Sequence, residues 1–338
     1  VTRIEYAALD ARVRALEQAE PIPTPEPEPP PEPTPEPVPP PPDTPPSLTT
    51  GGTINATGYT YGGPITITKP TTLIGGTINV PAGGVGLIVA SHDVRLDGVS
   101  VRGVQHTKYT GELGIQVAAT VASPILRLRI ENCDISNVGG IGLRLDHISD
   151  FTIAGNRVYD CGYSGIMVLS GLTGTVSNNT VARIGAAIPM LELPGQGNAY
   201  GIAITDVGQP RSADVLVVGN TVEDVPTWHG LDTHGGQRIR WERNVTRRCS
   251  RAIFITSSGT GRAAQNVIVD NRFESPLPVT FNRIAITLAG VDGLTATTNF
   301  VSKDYPIAAV GEADWYDRVV YDYGGGSTNV VASGNVVG

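Results

Sequence analysis

Two neighbouring segments, GLRLDHISDFTIAGNRVYDCG at residues 142–162 and GIMVLSGLTGTVSNNTVARIG at residues 165–185, follow one pattern. Each begins with a glycine and alternating apolar residues, passes through a turn, and ends in an apolar-x-x-Asn-x-apolar strand. The asparagine recurs along the chain at Asn156, Asn179, Asn220, Asn244, Asn271, Asn299 and Asn335. Its shortest steps are 23 residues, from 156 to 179, and 24 residues, from 220 to 244. A repeat of this length with two or three short strands is typical of one coil of a solenoid.

Alternation within each strand predicts which side chains fill the interior of the solenoid. Matched apolar pairs flank the asparagine in successive coils: Ile153 and Val158, Val176 and Val181, Val217 and Val222, Ile268 and Phe273. Coils stacked about 4.8 Å apart bury such pairs as a continuous column. The asparagine lies at a bend, where its amide can bond the backbone and the asparagines of adjacent coils. We therefore predict a structural ladder of asparagines, without a catalytic role.

Two further segments precede the repeats. Residues 1–20 are predicted to form a short helix, either a frayed terminus or an oligomerisation segment, because apolar residues follow a coiled-coil seam. These seam residues are Tyr6, Leu9, Val13 and Leu16. Residues 21–49 form a Pro/Glu-rich linker, in which 16 of the 26 residues from 21 to 46 are proline. Such a tract adopts polyproline II and acts as a semi-rigid spacer before the domain at 50–338.

The bulk composition excludes several classes of protein. A net charge of −8 and a pI near 5.2 lack the basic footprint that nucleic-acid binding requires. No apolar run reaches the roughly 20 residues that span a bilayer, so no membrane span is expected. The three cysteines, Cys133, Cys161 and Cys249, are predicted to be buried, unreactive thiols. Nothing in the sequence calls for a cofactor.

The repeats GIMV…VSNNTV, GIAI…VVGNTV and AIFI…IVDNRF resemble coils of the right-handed parallel β-helix superfamily, the pectate-lyase-like fold. The resemblance covers roughly residues 50–338 and implies an all-β solenoid of about 10 coils. The superfamily includes polysaccharide lyases, glycoside hydrolases, phage tailspikes and virion spikes, so it indicates the fold and leaves the function open. The paired aspartates followed by Gly-His-Gly that mark some of its enzymes are not evident in this sequence.

The order of helix, stiff linker and β-helix, with no visible secretion signal, looks most like a phage or phage-like spike. The resemblance implies a homotrimer on the virion surface that recognises bacterial surface polysaccharide and attaches to the virion through residues 1–20. One alternative is a polysaccharide-degrading enzyme, a lyase or glycoside hydrolase, secreted or carried on the particle. A second alternative is a structural spike with no role in glycan binding.

One coil concentrates chemically active residues on its outer face. In the segment WHGLDTHGG, residues 228–236, alternation places Asp232 and His234 side by side on one strand. Aligning the coils places Tyr200 and Arg251 on either side of His229. The candidate catalytic residues are Asp232, His234 and His229, and the candidate glycan-binding residues are Trp228, Tyr200, Arg251, Arg144 and Asp146.

This group of residues has three interpretations. In a glycan site, aromatic faces stack on sugars while polar groups bond hydroxyls or a uronate, and Asp232 or His234 acts as a general acid or base. Inverting hydrolysis needs a second carboxylate, for which Asp206 and Glu242 are candidates, although Glu242 is expected on another face. In a second interpretation the two histidines and Asp232 bind a divalent cation, but their spacing is not diagnostic and no metal is expected. In the third the group is a polar patch or subunit contact.

Overall fold

A computed structural model of the protein describes residues 44–104, 109–117, 119–185, 198–274, 284–308 and 312–338. The predicted helix at residues 1–20 and most of the proline-rich linker lie outside these ranges. The described residues all belong to one compact unit that starts at Pro41. No helix in the described part of the chain is long and apolar enough to cross a membrane.

The described chain forms 32 short strands separated by turns. In chain order they are β1 Gly52–Asn55, β2 Thr60–Gly62, β3 Ile65–Ile67, β4 Thr71–Ile74, β5 Thr77–Asn79, β6 Val85–Val89, β7 Val94–Asp97, β8 Ser100–Arg102, β9 Leu113–Val117, β10 Ile125–Leu126, β11 Arg129–Glu131, β12 Asp134–Ser136, β13 Ile141–Asp146, β14 Ile148–Ala154, β15 Arg157–Tyr159, β16 Ser164–Leu169, β17 Leu172–Ser177, β18 Thr180–Ala182, β19 Tyr200–Thr205, β20 Ala213–Val218, β21 Thr221–His234, β22 Arg240–Glu242, β23 Val245–Thr256, β24 Ala264–Val269, β25 Arg272–Glu274, β26 Ile284–Ala289, β27 Asp292–Thr297, β28 Phe300–Val301, β29 Trp315–Tyr316, β30 Val320–Asp322, β31 Thr328–Ser333 and β32 Val336–Val337.

These strands stack into three parallel sheets, because each coil contributes one strand to each sheet. Sheet 1 contains β1, β4, β7, β11, β14, β17, β20, β22, β24, β27 and β31, with β10 beside β14. Sheet 2 contains β2, β5, β8, β12, β15, β18, the first halves of β21 and β23, β25, β28 and β32. Sheet 3 contains β3, β6, β9, β13, β16, β19, the second halves of β21 and β23, β26 and β30, with β29 antiparallel to β30. The predicted right-handed parallel β-helix is confirmed.

The interior is a column of apolar side chains, as alternation predicts. Each of the matched pairs named above is fully buried. Together with the inward residues of sheet 3 they form one continuous core. The three cysteines are also buried, free thiols, and burial raises the pKa of each to about 12. The prediction of unreactive cysteines is therefore confirmed, since the thiolate is the reactive form.

The predicted asparagine ladder is present at the bend between sheets 1 and 2. From Asn156 onward, the backbone N–H and side-chain amide of each asparagine donate to the side-chain oxygen of the next, at 2.9 or 3.0 Å. Each side-chain amide also donates to a backbone carbonyl of the preceding coil. At the last member, Asn335, the Asp317 carboxylate accepts from the side-chain amide at 2.9 Å and so ends the ladder.

We predict that Asn220→Ala lowers the free energy of unfolding by on the order of 3 kcal/mol, because it leaves several buried backbone and amide groups of Asn179 and its neighbours unpaired. The matched control is Asn335→Ala at the partly exposed end of the ladder, where water replaces the lost bonds and the change stays below about 1 kcal/mol. Urea unfolding of both variants measures the difference. Equal losses at the two positions would contradict the account.

Candidate functional site

The residues predicted from the coil alignment lie together on the outer face of sheet 3. His229 pairs with Tyr200 on one side and with Arg251 on the other. Asp232 occupies the next outward column, between Ala203 and Phe254. The register inferred from the sequence is therefore the register of the structure at this face.

Local backbone features fix the direction of these side chains. Strand β21 continues from sheet 2 into sheet 3, and its register shifts between Val225 and His229, immediately before the site. From Leu231 onward the side chains alternate, so Leu231 faces the core while Asp232 and His234 face outward. His229, three residues before Asp232, also lies on the outer face, since its ring bonds Asp232 there. Gly230 favours this close packing because a Cβ at that position would lie 3.0 Å from Ala252 O and from Cys249 Sγ, which would have to shift.

A chain of hydrogen bonds fixes the protonation state of His229. Its Nδ1 lies 2.6 Å from Asp232 Oδ1, and its Nε2 lies 3.1 Å from Arg251 Nη1. A guanidinium can only donate, so His229 Nε2 must accept and His229 Nδ1 must donate to Asp232. His229 is therefore the neutral Nδ1–H tautomer, with both ring nitrogens occupied.

Burial also favours the neutral form of His229. Both His229 and Asp232 are buried. Desolvation lowers the pKa of His229 to about 4, against the opposing effect of Asp232. For Asp232, burial alone would raise the pKa, but attraction to His234 and the hydrogen bond from His229 outweigh it and lower the pKa to about 2. Asp232 is thus ionised and His229 neutral at neutral pH.

His234 is the more accessible of the two histidines. Its side chain is 36% exposed, and its Nε2 lies 3.4 Å from Asp232 Oδ1, an ion-pair distance without hydrogen-bond geometry. Attraction to Asp232 raises the pKa of His234 despite partial burial, and Asp206 adds to this effect. Of the three predicted catalytic residues, His234 alone combines a partly exposed side chain with a raised pKa.

Aromatic side chains surround the polar residues. Trp228 stacks on His229 with ring centroids 4.8 Å apart, and Phe254 packs on the opposite side at 4.6 Å. Tyr200 contacts both histidine rings edge-on. Its hydroxyl accepts from the indole N–H of Trp228 and donates to the hydroxyl of Tyr163, and burial raises the pKa of Tyr200. Alternation along β23 places Phe254 on the outer face, but the sequence gives no sign that it contacts His229. Tyr163 is not predicted from the sequence either, because it lies in a bend just before its strand.

Two predicted glycan-binding residues lie apart from this group. Arg144 and Asp146 occupy the same outward columns as Asp232 and His234, but three strands earlier, about 14 Å away at the usual strand spacing. They form an ion pair with each other at 3.1 Å. The structure therefore places them on the same face without bringing them into contact with the cluster.

The two candidate second carboxylates differ in position. Glu242 lies on sheet 1, as expected, and bonds Arg240 and Arg243 there. Asp206 lies close enough to His234 to affect its pKa, and it accepts hydrogen bonds from Ser258 at 2.9 Å and from Thr260. Asp206 is therefore the only one of the two candidates near the site.

A metal ion fits this group poorly. The donor atoms of His229, Asp232 and His234 lie within 4.8 Å of one another. However, a metal bound at His229 Nδ1 would need the proton moved to Nε2, where it would point at the N–H of Arg251. The fixed positive charge of Arg251 also opposes a cation at this position. The donor set therefore supports the expectation of no metal at this site.

Comparisons with known proteins agree on the architecture. Residues 87–300 match the family model described as the right handed beta helix region. Similar solved structures include an alginate lyase from Paenibacillus sp. str. FPU-7, with 15% identity and a TM-score of 0.51 over 80% of this chain and 88% of that one. The A-module of a mannuronan C-5 epimerase from Azotobacter vinelandii has 13% identity and a TM-score of 0.43, over 86% and 91%. A tailspike protein of E. coli bacteriophage HK620 has 13% identity and a TM-score of 0.49, over 85% of this chain and 60% of that one. A comparison with curated proteins finds no match.

We predict that in the wild-type protein His234 remains protonated above pH 6.5, its ordinary pKa, because Asp232 stabilises the charged form. Its contribution to stability is then fully present below pH 6.5 and is lost as the pH rises through the folded pKa. Asp232→Asn should return the pKa of His234 toward 6.5. A histidine-selective NMR titration measures the pKa, with His234→Gln to assign the signal.

The control for this titration is Asp146→Asn, which removes a carboxylate from the column of His234. At that distance dissolved salt screens its charge from His234. It should leave the pKa of His234 unchanged. A wild-type His234 that titrates at its ordinary value would show that the ion pair with Asp232 does not form.

Proposed function

We propose that this chain, which belongs to the right-handed β-helix family, binds polysaccharide along the outer face of sheet 3. One observation carries the proposal: aromatic rings from neighbouring coils form a continuous line that ends on the His229–Asp232–His234 group. The rings of Tyr109 and Tyr163 lie 6.2 Å apart, and those of Tyr163 and Tyr200 lie 5.4 Å apart.

This line suits a sugar polymer better than a small solute. Tyr109 is 37% exposed, and Tyr163 and Trp228 are partly exposed, so their faces or edges are available. Sugar rings present apolar C–H faces that stack on aromatic side chains and hydroxyls that bond polar groups. A surface that repeats with the coil offers successive contacts to successive sugar units, as extended solenoid surfaces do for extended ligands.

A depolymerase is the second candidate function. The observation in its favour is the pairing, at 3.4 Å, of a partly exposed His234 whose pKa is raised with an Asp232 whose pKa is lowered. In a general acid role, His234 would protonate the glycosidic oxygen as the bond to it breaks. Because Asp232 and His229 are buried and bonded to each other, we assign them to positioning and charging His234 rather than to contact with the sugar.

We further propose that the protein is a homotrimeric spike on the surface of a phage or phage-like particle, attached through residues 1–20, and that its target is bacterial surface polysaccharide. The support is the order of predicted helix, proline-rich linker and β-helix. A secreted enzyme is the alternative location, and a structural spike without glycan binding is the alternative role. Light scattering of the full chain should give three times the 35.4 kDa chain mass, and a mass of one chain would contradict the trimer.

The experiment that tests glycan binding is incubation of the protein with surface polysaccharides of candidate host bacteria, followed by chromatography of the polymer. Co-elution of intact polymer with the protein supports binding, and a fall in polymer size supports cleavage. If no polymer of the panel co-elutes or falls in size, the structural spike becomes the better account.

We predict that Trp228→Ala weakens polysaccharide binding by about tenfold or more, as expected for a central aromatic contact. The matched control is Tyr159→Ala on sheet 2, which removes an aromatic ring held between Arg157 and Arg183 on another face. Titration monitored by retention on immobilised polymer compares the two variants. Equal effects of the two substitutions would place the binding surface elsewhere.

A further inference from the structure

Arg251 is a buried cation with no anionic partner. It is 5% exposed, on the outer face of sheet 3 in the strand after His229. Within the described ranges, no carboxylate oxygen forms an ion pair with it, and the nearby Asp232 is engaged by the two histidines. A guanidinium stays charged in proteins, and burial of a charge is costly unless that charge is paired.

The unpaired edge of this guanidinium is the one that binds carboxylates. Arg251 Nη1 donates to His229, whereas the buried Arg251 Nε has no hydrogen-bond partner. Elsewhere in the described part of the chain, five arginines hold an aspartate through Nε and Nη2 together. These pairs are Arg127–Asp93, Arg144–Asp146, Arg183–Asp160, Arg238–Asp214 and Arg248–Asp224. At Arg251 the described residues supply no aspartate for this edge.

The surroundings of Arg251 suit the body of a sugar. Its guanidinium carbon lies 5.1 Å from the ring centroids of both Trp228 and Phe254. In the column of Phe254, the buried hydroxyl of Thr287 also lacks a partner. The neighbouring Tyr323 is largely exposed, so the site adjoins solvent. Buried donors without hydrogen-bond partners, next to aromatic rings, suit a ligand that carries a planar anion on a partly apolar ring.

We propose that Arg251 is the carboxylate-binding subsite of this face, and that the polysaccharide recognised there is acidic, built from sugars that carry a carboxylate. The inference rests on the proposed glycan-binding function and narrows its substrate class. Among the described residues of this site Arg251 is the one cation without an ion-pair partner, which matches the single charge of a carboxylate, and the Nε–Nη2 edge of its guanidinium matches the planar geometry of that group. The carboxylate would accept from Nε and Nη2 of Arg251.

A matched pair of ligands tests the substrate class. Each polymer of a bacterial polysaccharide panel is used as isolated and after chemical reduction of its carboxylates to alcohols, which removes the charge and keeps the backbone. The polymers retained by the wild-type protein should carry carboxylates, and reduction should weaken retention at least about tenfold. Equal binding of the reduced polymer, or tight binding of a neutral polymer, would overturn the inference while leaving glycan binding intact.

Variants test the residue. Arg251→Met should weaken binding of the acidic polymer at least about tenfold and should abolish the preference over its reduced form. Arg251→Lys should not restore binding, because an ammonium cannot offer the planar two-bond edge. The control is Arg248→Met in the same strand. Arg248 already binds Asp224, so its loss should leave the preference for the acidic polymer unchanged.

Stability separates this role from a structural one. Arg251→Met removes an unpaired buried charge, which stabilises, and leaves the buried His229 Nε2 without its donor, which destabilises, so its urea midpoint should change little. A lowered midpoint together with an unchanged preference for acidic polymer would make Arg251 a structural residue.

If no polymer in the panel is retained, the proposed function fails and a smaller probe decides the inference. The Arg251 Nε–H signal, assigned by its absence in Arg251→Lys, is followed by NMR with sodium D-glucuronate and with D-glucose. A shift with glucuronate alone supports the subsite. No shift with glucuronate, or equal shifts with the two sugars, overturns it.

Discussion

The asparagine ladder is the interaction on which the rest of the structure depends. From the coil of Asn156 onward, each side chain satisfies backbone and amide groups of the preceding coil, so each of these coils follows its neighbour at one fixed spacing and register. This constraint accommodates insertions of different length, because the ladder positions on either side of an insertion keep the same register. Asp317 comes from the last such insertion and ends the ladder by replacing the next asparagine oxygen.

Fixed register converts a sequence repeat into a surface. Residues at equal positions in successive coils form columns on the outer face, and a ligand that lies along the solenoid meets one column after another. On sheet 3 these columns carry the aromatic line and the polar group around Asp232. The polar group is internally balanced except at Arg251: Asp232 is shared by two histidines, and His229 is held neutral between Asp232 and Arg251. Within the described part of this polar group, the charge of Arg251 has no ion-pair partner and is the most informative feature of the site.

The sequence was sufficient for everything that follows from the period. It predicted the fold, the inward pairs, the ladder, the buried cysteines and the neighbours of His229, because each depends on the position of a residue within its coil. It also predicted that Glu242 lies on another face, away from the site. Features that depend on packing between coils were not predictable: the burial of His229 and Asp232, the tautomer of His229 and the contact of Phe254 with both His229 and Arg251. Arg144 and Asp146 were grouped with the site because column membership does not measure distance along the column.

The most direct test of the account is a crystal structure of the protein with an oligosaccharide prepared from a bound acidic polysaccharide. The account predicts a sugar chain along the outer face of sheet 3, with one ring against Trp228 and a carboxylate bonded to the Nε and Nη2 atoms of Arg251. An oligosaccharide bound on sheet 1 or sheet 2, with the guanidinium of Arg251 still unpaired, would contradict it.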